Sequence, residues 1–384
     1  MTLCDIRDSS KNLADVHLPE GVPPLRTFYL YLTTCCNLRC QHCWINPVYE
    51  GKNLKPNSYI DPEALRLAIK EGKALGLSNI KLTGGEPTLH PHFREIVKFL
   101  TEEGLSLQME SNGTLITHEL ARFLKNDSNV TFISVSIDSP EEKEHDRFRG
   151  VKGAYQSALS GLDNLVEAGY KNCQIIMSVH NRNRHQMAEL VKLAADHGAS
   201  SVKFNPVNST GRGIEMHTKG ETLTFSEYLK LVEYINTEIR PNSRISVICP
   251  VPPALTPLEE IKRKGICGWC GVTGVLSIIG DGSIALCGIG QTIPELTYGR
   301  LGVDSISDIW LHNPVIRGLR RDLEDVKGYP GICGSCIHAK ICRTGCVANN
   351  YIHSGILVSP QWLCKEAEKA GLFPKTRMRF IHQE

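Results

Sequence analysis

Much that would place a chain at a membrane, outside the cell or on nucleic acid is missing from these 384 residues. No apolar run approaches the roughly 20 residues that a membrane-spanning helix needs. The opening stretch MTLCDIRDSSKNLADVHLPEG holds acids and proline but no apolar segment of the signal-peptide kind. Together these absences lead us to expect a cytoplasmic protein with no membrane partner. Charge of one sign is not in excess either, since 43 Lys and Arg face 41 Asp and Glu for a net +2. No basic run is long enough to follow a phosphate backbone, so nucleic acid is not an expected partner. Internal low-complexity sequence is absent too; 41% hydrophobic and 22% charged residues are enough for one large core or two medium ones.

Cysteine, by contrast, is abundant. Fifteen thiols conflict with a reducing compartment if they are to form disulfides, which makes metal ligation the natural alternative. Cys35, Cys36, Cys40 and Cys43 crowd into one short stretch, eight more fall between Cys267 and Cys364, and only Cys173 and Cys249 lie between these groups.

From about Arg26 the sequence alternates short β-branched or aromatic runs with amphipathic helical ones, as β/α units around a parallel sheet do. Strands are expected at 27–33, 79–83, 105–110, 131–136, 174–179 and 201–205, and helices at 61–75, 91–101, 117–124, 154–168 and 184–197. Six strands with intervening helices fit an α/β fold of the partial (β/α)6 barrel type better than a closed eight-unit barrel. Past Gly211-Arg212-Gly213 the pattern weakens to a helix at 225–239, a short strand at 244–249 and a proline-rich linker. From Gly265 the text is rich in Gly and Cys with little periodicity, and such a segment needs an external staple. The expected division is an N-terminal tail at 1–25, the barrel at 26–240, a linker at 241–264, a cysteine-rich domain at 265–370 and a C-terminal tail at 371–384.

Cys36-x3-Cys40-x2-Cys43 is spaced so that a loop can wrap three thiolates around one side of a compact inorganic cluster, with Cys35 as the spare. Three ligands leave one iron of a four-iron cluster open to an exogenous ligand. A zinc site is the alternative on spacing alone, although structural zinc normally takes four ligands. The surrounding text resembles the radical S-adenosylmethionine (radical SAM) superfamily, whose C-x3-C-x2-C loop follows the first barrel strand. Gly84-Gly85-Glu86-Pro87 after the second strand is similar to the segment that contacts the methionyl amino group of SAM, and Ser111-Asn112-Gly113-Thr114 ends the third strand like the family's TNGT turn. Ser136-Ile137-Asp138 ends the fourth strand, where relatives touch the ribose, and His145 to Gly150 resembles a segment whose arginine, here Arg149, pairs with the SAM carboxylate. The resemblance implies SAM bound by Gly84, Gly85, Glu86, Pro87, Asn112, Ser136, Asp138 and Arg149. It also implies reductive SAM cleavage to a 5′-deoxyadenosyl radical that abstracts hydrogen from a substrate, with a flavodoxin or ferredoxin as reductant. No catalytic acid or base is implied, and direct roles for His145 and Asp146 are set against a solvent-facing position.

Toward the C-terminus, Cys270-x11-Gly282-x4-Cys287 is followed by Cys333-x2-Cys336-x5-Cys342-x3-Cys346 and then Cys364. The series resembles the SPASM domain found on radical SAM proteins that modify peptides and proteins, with a zinc ribbon as the alternative for the 333–346 group alone. The resemblance implies two auxiliary [4Fe–4S] clusters, for three in all. Cys267, Cys270, Cys287 and Cys346 would hold the inner one, and Cys333, Cys336, Cys342 and Cys364 the outer. If Cys267 is not a ligand, the inner cluster keeps an open iron. Cys173 and Cys249 read as small buried hydrophobes, and Cys4 lies in the tail.

Several reactions fit such a protein: thioether or carbon–carbon cross-links, oxidised residues or inverted stereocentres in a ribosomally made peptide or protein. Sulfatase maturases place an Asp after the cysteine of G-x4-C, whereas Cys287 is followed by Gly288, which lowers the expectation of formylglycine formation. With only about 25 residues before the barrel, no built-in leader-recognition domain is expected, so a separate recognition protein or direct binding must present the precursor. Tetrapyrrole-modifying relatives are an alternative that the eight C-terminal cysteines argue against. An iron–sulfur electron carrier is another, but it leaves the SAM-like strand ends unexplained. Asn205, Pro206 and Arg212 are candidates for the substrate side, against the alternative of a stabilised loop. Asp281 reads as a hairpin-turn residue and Trp44 as packing.

Overall fold

A computed structural model of the protein describes residues 16–45, 47–49, 58–264 and 271–379. Cys4, Cys267 and Cys270 lie outside the described residues. Among those described, twelve strands form: β1 (Thr27–Tyr31), β2 (Cys35–Cys36), β3 (Val48–Tyr49), β4 (Asn79–Thr83), β5 (Ser106–Ser111), β6 (Val130–Ser136), β7 (Cys173–Val179), β8 (Ser201–Pro206), β9 (Ser246–Ile248), β10 (Val275–Ile278), β11 (Ser283–Ala285) and β12 (Thr297–Arg300). Ten of them make one sheet in the order β12-β11-β10-β1-β4-β5-β6-β7-β8-β9. The six expected strands sit in sequence order at its centre, all parallel, which is the partial α/β barrel.

The sheet also runs beyond those six. β9, within the segment expected to link two domains, pairs parallel with β8, and β10 pairs parallel with β1. β10 then turns through Asp281 and Gly282 into antiparallel β11, with the Asp281 carboxylate accepting from the Ser283 amide at 2.9 Å. The Gly- and Cys-rich text is therefore less shapeless than its composition suggests. Helix Pro314–Glu324 buries Ile316, Leu319 and Leu323, a spacing of one helical face. It joins Val272, Leu286, Leu296 and Val347 in a small apolar core of its own. That segment has an internal hydrophobic reason to fold as well as its thiols.

Helices α1 (Pro62–Ala74), α2 (Phe93–Glu102), α3 (His118–Asn126), α4 (Glu142–Arg149), α5 (Ala154–Glu167) and α6 (Met187–Asp196) connect the central strands. Helix α1 starts where Asp61 accepts from the Ala64 amide at 2.7 Å with Pro62 at the first helical position. Thr117 caps α3 in the same way through the Leu120 amide. α4, not expected from the sequence, begins at Glu142 and takes in the His145 to Arg149 segment, with Gly150 at its C-terminal cap.

Alternation along the strands decides which side chains meet the helices. Phe28 and Leu30 on β1, Ile80 and Leu82 on β4, Leu107 and Met109 on β5, and Val202 and Phe204 on β8 are buried in the main apolar cluster. Each such side chain contributes about 1.5–3 kcal/mol on leaving water. The intervening positions, among them Tyr29, Lys81, Glu110, Ser178 and Lys203, are only half-buried and line the concave side. No helix among the described residues is long and apolar enough to cross a membrane.

Candidate functional site

The cysteine-bearing loop after β1 is clamped from three directions at the C-terminal ends of the strands. The amides of Gly85 and Glu86, just past β4, donate to the carbonyls of Thr33 and Cys35, both at 2.8 Å. From α4 the carbonyls of Arg149 and Phe148 accept from the amides of Arg39 and Gln41 at 2.9 and 3.0 Å. The third clamp is the Arg212 amide, which reaches the Cys43 carbonyl at 3.0 Å. Approach at Gly85 is so close that a Cβ there would stand 1.9 Å from the Cys35 carbonyl oxygen. Only glycine fits at that point.

Within the loop, Cys36 and Cys40 are buried and Cys43 is partly so. Burial raises the Cys36 thiol most, with Cys40 next, and Cys43 adds to the rise. Burial likewise raises Cys40, against the lowering pull of Arg149, whose Nη1 donates to the Cys40 Sγ at 3.6 Å. Cys36 and Cys40 belong to one small buried cluster, and Cys43 packs against it. Cys35, fully buried, is tied instead through its backbone to Thr33 and Glu86.

Around this loop the strand ends knit together. Glu86 is 0% exposed, and Thr88 and Ser111 donate to its Oε1 while the Asn112 amide donates to its Oε2 at 2.8 Å. Burial pushes the Glu86 carboxyl above its ordinary range and the donors pull it back. Asn112 passes the connection to the cysteine loop by donating to Asn37 at 2.8 Å, and Asn37 in turn donates to Thr114. Pro87, buried, opens the short turn Pro87–Leu89. Because four donors converge on Glu86, Glu86→Gln places an amide N–H among them. We expect this change to cost about 2–4 kcal/mol, read as a lowered melting temperature of the purified protein. An unchanged melting temperature contradicts this role.

On the far side, Arg149 Nε meets Asp138 Oδ2 at 2.5 Å, with side chains 8% and 1% exposed. Ser178 donates its amide to Asp138 Oδ1 at 2.7 Å. Burial opposes both charges, but their mutual attraction wins, so Asp138 is lowered and Arg149 raised. Ser136 is half-buried at the end of β6. His145 is buried, not solvent-facing; its Nδ1 accepts from the Asp138 amide, and burial holds it down at about 4. Asp146 accepts from the amides of Gly153 and Tyr155 and so serves the start of α5.

Three features stand out beside these, of which only Arg212 was a candidate in the sequence. His42, between two of the cysteines, stacks on Phe148 at 4.5 Å, and Phe148 stacks on His180 at 4.5 Å. Burial holds His42 down to about 3, a neutral ring whose Nε2 pairs with Ser178 Oγ at 3.0 Å. Arg212 carries Nε and Nη2 buried without partners. A third feature is Tyr31 at the end of β1, which packs edge-on to Trp44 at 5.9 Å and fills the space beside Gly288. A Cβ at 288 would lie 1.6 Å from the Tyr31 hydroxyl oxygen. Burial, then Cys287 and Glu110, raise the Tyr31 hydroxyl well above its usual value.

The remaining thiols fall into two sets. Cys333, Cys336, Cys342 and Cys364 line a single cavity with apolar neighbours including Ile332, Ala254 and Phe373. Burial first and then the neighbouring thiols raise Cys333 to about 12 and Cys342 to about 11. Cys287 is pushed to about 12 by burial and next by Cys346, which makes those two neighbours. Among the described residues no three His, Cys, Asp or Glu are grouped to hold a metal ion as they stand. Buried thiols that raise one another need a cationic group to become ligands, and an iron–sulfur cluster supplies one.

A family model described as the radical SAM superfamily matches residues 30–194. Among curated proteins, the chain is 28% identical over 368 residues to the AdoMet-dependent heme synthase of Nitratidesulfovibrio vulgaris, covering 90% of this chain and 94% of that one. To the mycofactocin maturase MftC of Mycolicibacterium smegmatis it is 27% identical over 353 residues, covering 91% and 84%. Among solved structures, Streptococcus suis SuiB bound to the precursor peptide SuiA superposes with a TM-score of 0.67 at 18% identity, covering 89% of this chain and 76% of that one.

Proposed function

We propose, because this chain belongs to the radical SAM superfamily of enzymes, that it modifies a ribosomally made peptide or protein held in the open lumen of its barrel. The observation that carries this reading is the second set of thiols, Cys333, Cys336, Cys342 and Cys364 around one apolar cavity, with Cys287 and Cys346 paired nearer the lumen. Auxiliary clusters at these two places are what a SPASM-bearing peptide maturase would need.

Cys36, Cys40 and Cys43 would hold the first [4Fe–4S] cluster, with SAM against Gly84 to Pro87, Asn112, Ser136, Asp138 and Arg149. When bound, this pair of cofactors supplies a radical that removes hydrogen from an unreactive C–H bond. The chain's own residues do the positioning. Glu86 fixes the ends of β4 and β5 against each other. Asp138 holds Arg149 against Cys40, whereas the side chain of Arg212 brings partnerless donors to the same loop, ready for an anionic group of SAM or substrate. Tyr31 and Trp44 close the side of the lumen that faces Cys287 and so limit water.

Formylglycine formation is the weaker peptide chemistry here. An Asp at 288 would drive its Cβ into Tyr31, so the base expected of a sulfatase maturase has no room. A tetrapyrrole substrate is the second reading, favoured by the similarity to heme synthases along nearly their whole length. Co-expression with short peptides encoded beside the gene, followed by mass spectrometry, separates the two. A peptide lighter by two hydrogens, or of equal mass with an inverted residue, supports the peptide reading. Unmodified peptides together with turnover of an added propionate-bearing tetrapyrrole overturn it.

A further inference from the structure

The concave face of the barrel carries charge where a parallel sheet usually carries apolar residues. Lys81 on β4 and Glu110 on β5 form an ion pair at 2.6 Å, yet their side chains keep 26% and 37% of their surface open. Lys203 lies on β8, three strands beyond β5 in the sheet. Even so, the strand register puts it on the same face as Lys81 and Glu110, in the hollow where both charges act on it. Among the described residues, Lys203 makes no hydrogen bond or ion pair. Two ammonium groups and one carboxylate leave the hollow at +1, and the carboxylate is already engaged by Lys81. Burial, and then repulsion from Lys81, lower the Lys203 ammonium, so a second anion would relieve it. Tyr31, which senses both Glu110 and Cys287, links this hollow to the cysteine-rich segment.

We propose that Lys203 receives a carboxylate of the substrate in the lumen, and that the Lys81–Glu110 pair keeps Lys203 available by occupying Glu110. The inference rests on the reading that the substrate enters the lumen, and it names the substrate class as carboxylate-bearing. A glutamate, aspartate or terminal carboxylate of a peptide and a propionate of a tetrapyrrole share that chemistry.

Lysine acetylation of the anaerobically reconstituted holoenzyme, read residue by residue by mass spectrometry, tests it with sodium propionate as the probe. Propionamide, and sodium chloride at equal ionic strength, are the controls. Propionate is expected to slow acetylation of Lys203 about threefold at about 100 mM, as one charge-assisted hydrogen bond allows, and to leave exposed Lys70 unchanged. Equal protection by propionamide or chloride overturns the site. Lys81→Met frees Glu110 to pair with Lys203 and should remove the protection, whereas Lys81→Met with Glu110→Gln should restore it. Failure of the double variant to restore it overturns the role given to the pair. Iron content and SAM binding, measured on each variant, should match the parent.

Two larger probes identify the source of the carboxylate. Protection by a propionate-bearing tetrapyrrole but not by a glutamate-containing peptide keeps this site and overturns the peptide reading. Absence of protection by any carboxylate overturns the site and leaves the peptide reading standing.

Discussion

Alanine at Cys36, Cys40 and Cys43 together is expected to abolish SAM cleavage while leaving most of the iron in place. Three four-iron clusters imply about twelve irons per reconstituted chain, and the triple variant should retain about eight. The C-terminal thiols proposed for the auxiliary clusters form sets of their own: Cys333, Cys336, Cys342 and Cys364 line one cavity, and Cys346 neighbours Cys287. Loss of one set therefore need not disturb the other. Cys35→Ala serves as the control, because Cys35 lies outside the small cluster in which Cys36, Cys40 and Cys43 pack. Cleavage that persists in the triple variant, or is lost in Cys35→Ala alone, refutes the ligand assignment. A wild-type content near four irons refutes the auxiliary clusters.

Gly85→Ala is expected to be nearly as damaging from a single methyl group. Its Cβ would lie 1.9 Å from the Cys35 carbonyl oxygen and 2.4 Å from the carbonyl carbon, and these are backbone atoms that cannot swing aside as a flexible side chain can. Relief requires the β4 end and the cysteine loop to part. Parting them breaks the 2.8 Å hydrogen bond from the Glu86 amide to that same carbonyl. Overpacking of this kind costs about 1–3 kcal/mol, occasionally more, and here it falls directly on the loop that carries Cys36. SAM affinity should fall at least about tenfold, since each 1.4 kcal/mol is tenfold in binding. Equilibrium binding of SAM to the reconstituted variant checks this, and parental affinity contradicts it. Gly104→Ala is the matching control, because nothing lies within 4 Å of a Cβ at that position; its positive φ of 75° strains the backbone but not the site.

How much of this was legible in the sequence depended on how local the signal was. The central strands announced themselves because β-branched and aromatic runs alternate with capped helices, and each βα unit is written in one stretch. β9 falls inside the short strand expected at 244–249, whereas β10 was harder. Val275–Ile278 is short and lies in Gly- and Cys-rich text, and its place beside β1 is a pairing between distant parts of the chain that no local pattern encodes. The helix at Pro314–Glu324 was readable from the spacing of Ile316, Leu319 and Leu323, but cysteine spacing dominated that region.

The site shows the same division. Separating Cys36, Cys40 and Cys43 from Cys35 needed only their spacing in the sequence. That Glu86 is a buried junction for Thr88, Ser111 and Asn112, and that Arg149 is already held by Asp138, required the fold. Lys81, Glu110 and Lys203 fall inside the expected strands, but the sequence singled out none of them. Only the register of the sheet shows that they share one face.

Above all, the loop at Cys36, Cys40 and Cys43 and the strand ends around it are proposed to bind and reductively cleave SAM. Anaerobic incubation of the reconstituted protein with SAM and dithionite, followed by quantification of 5′-deoxyadenosine, measures this directly. We expect 5′-deoxyadenosine well above a protein-free blank in the wild type and at the blank level in the triple alanine variant. Wild-type product no greater than the blank, in protein that carries its full iron content, contradicts the account.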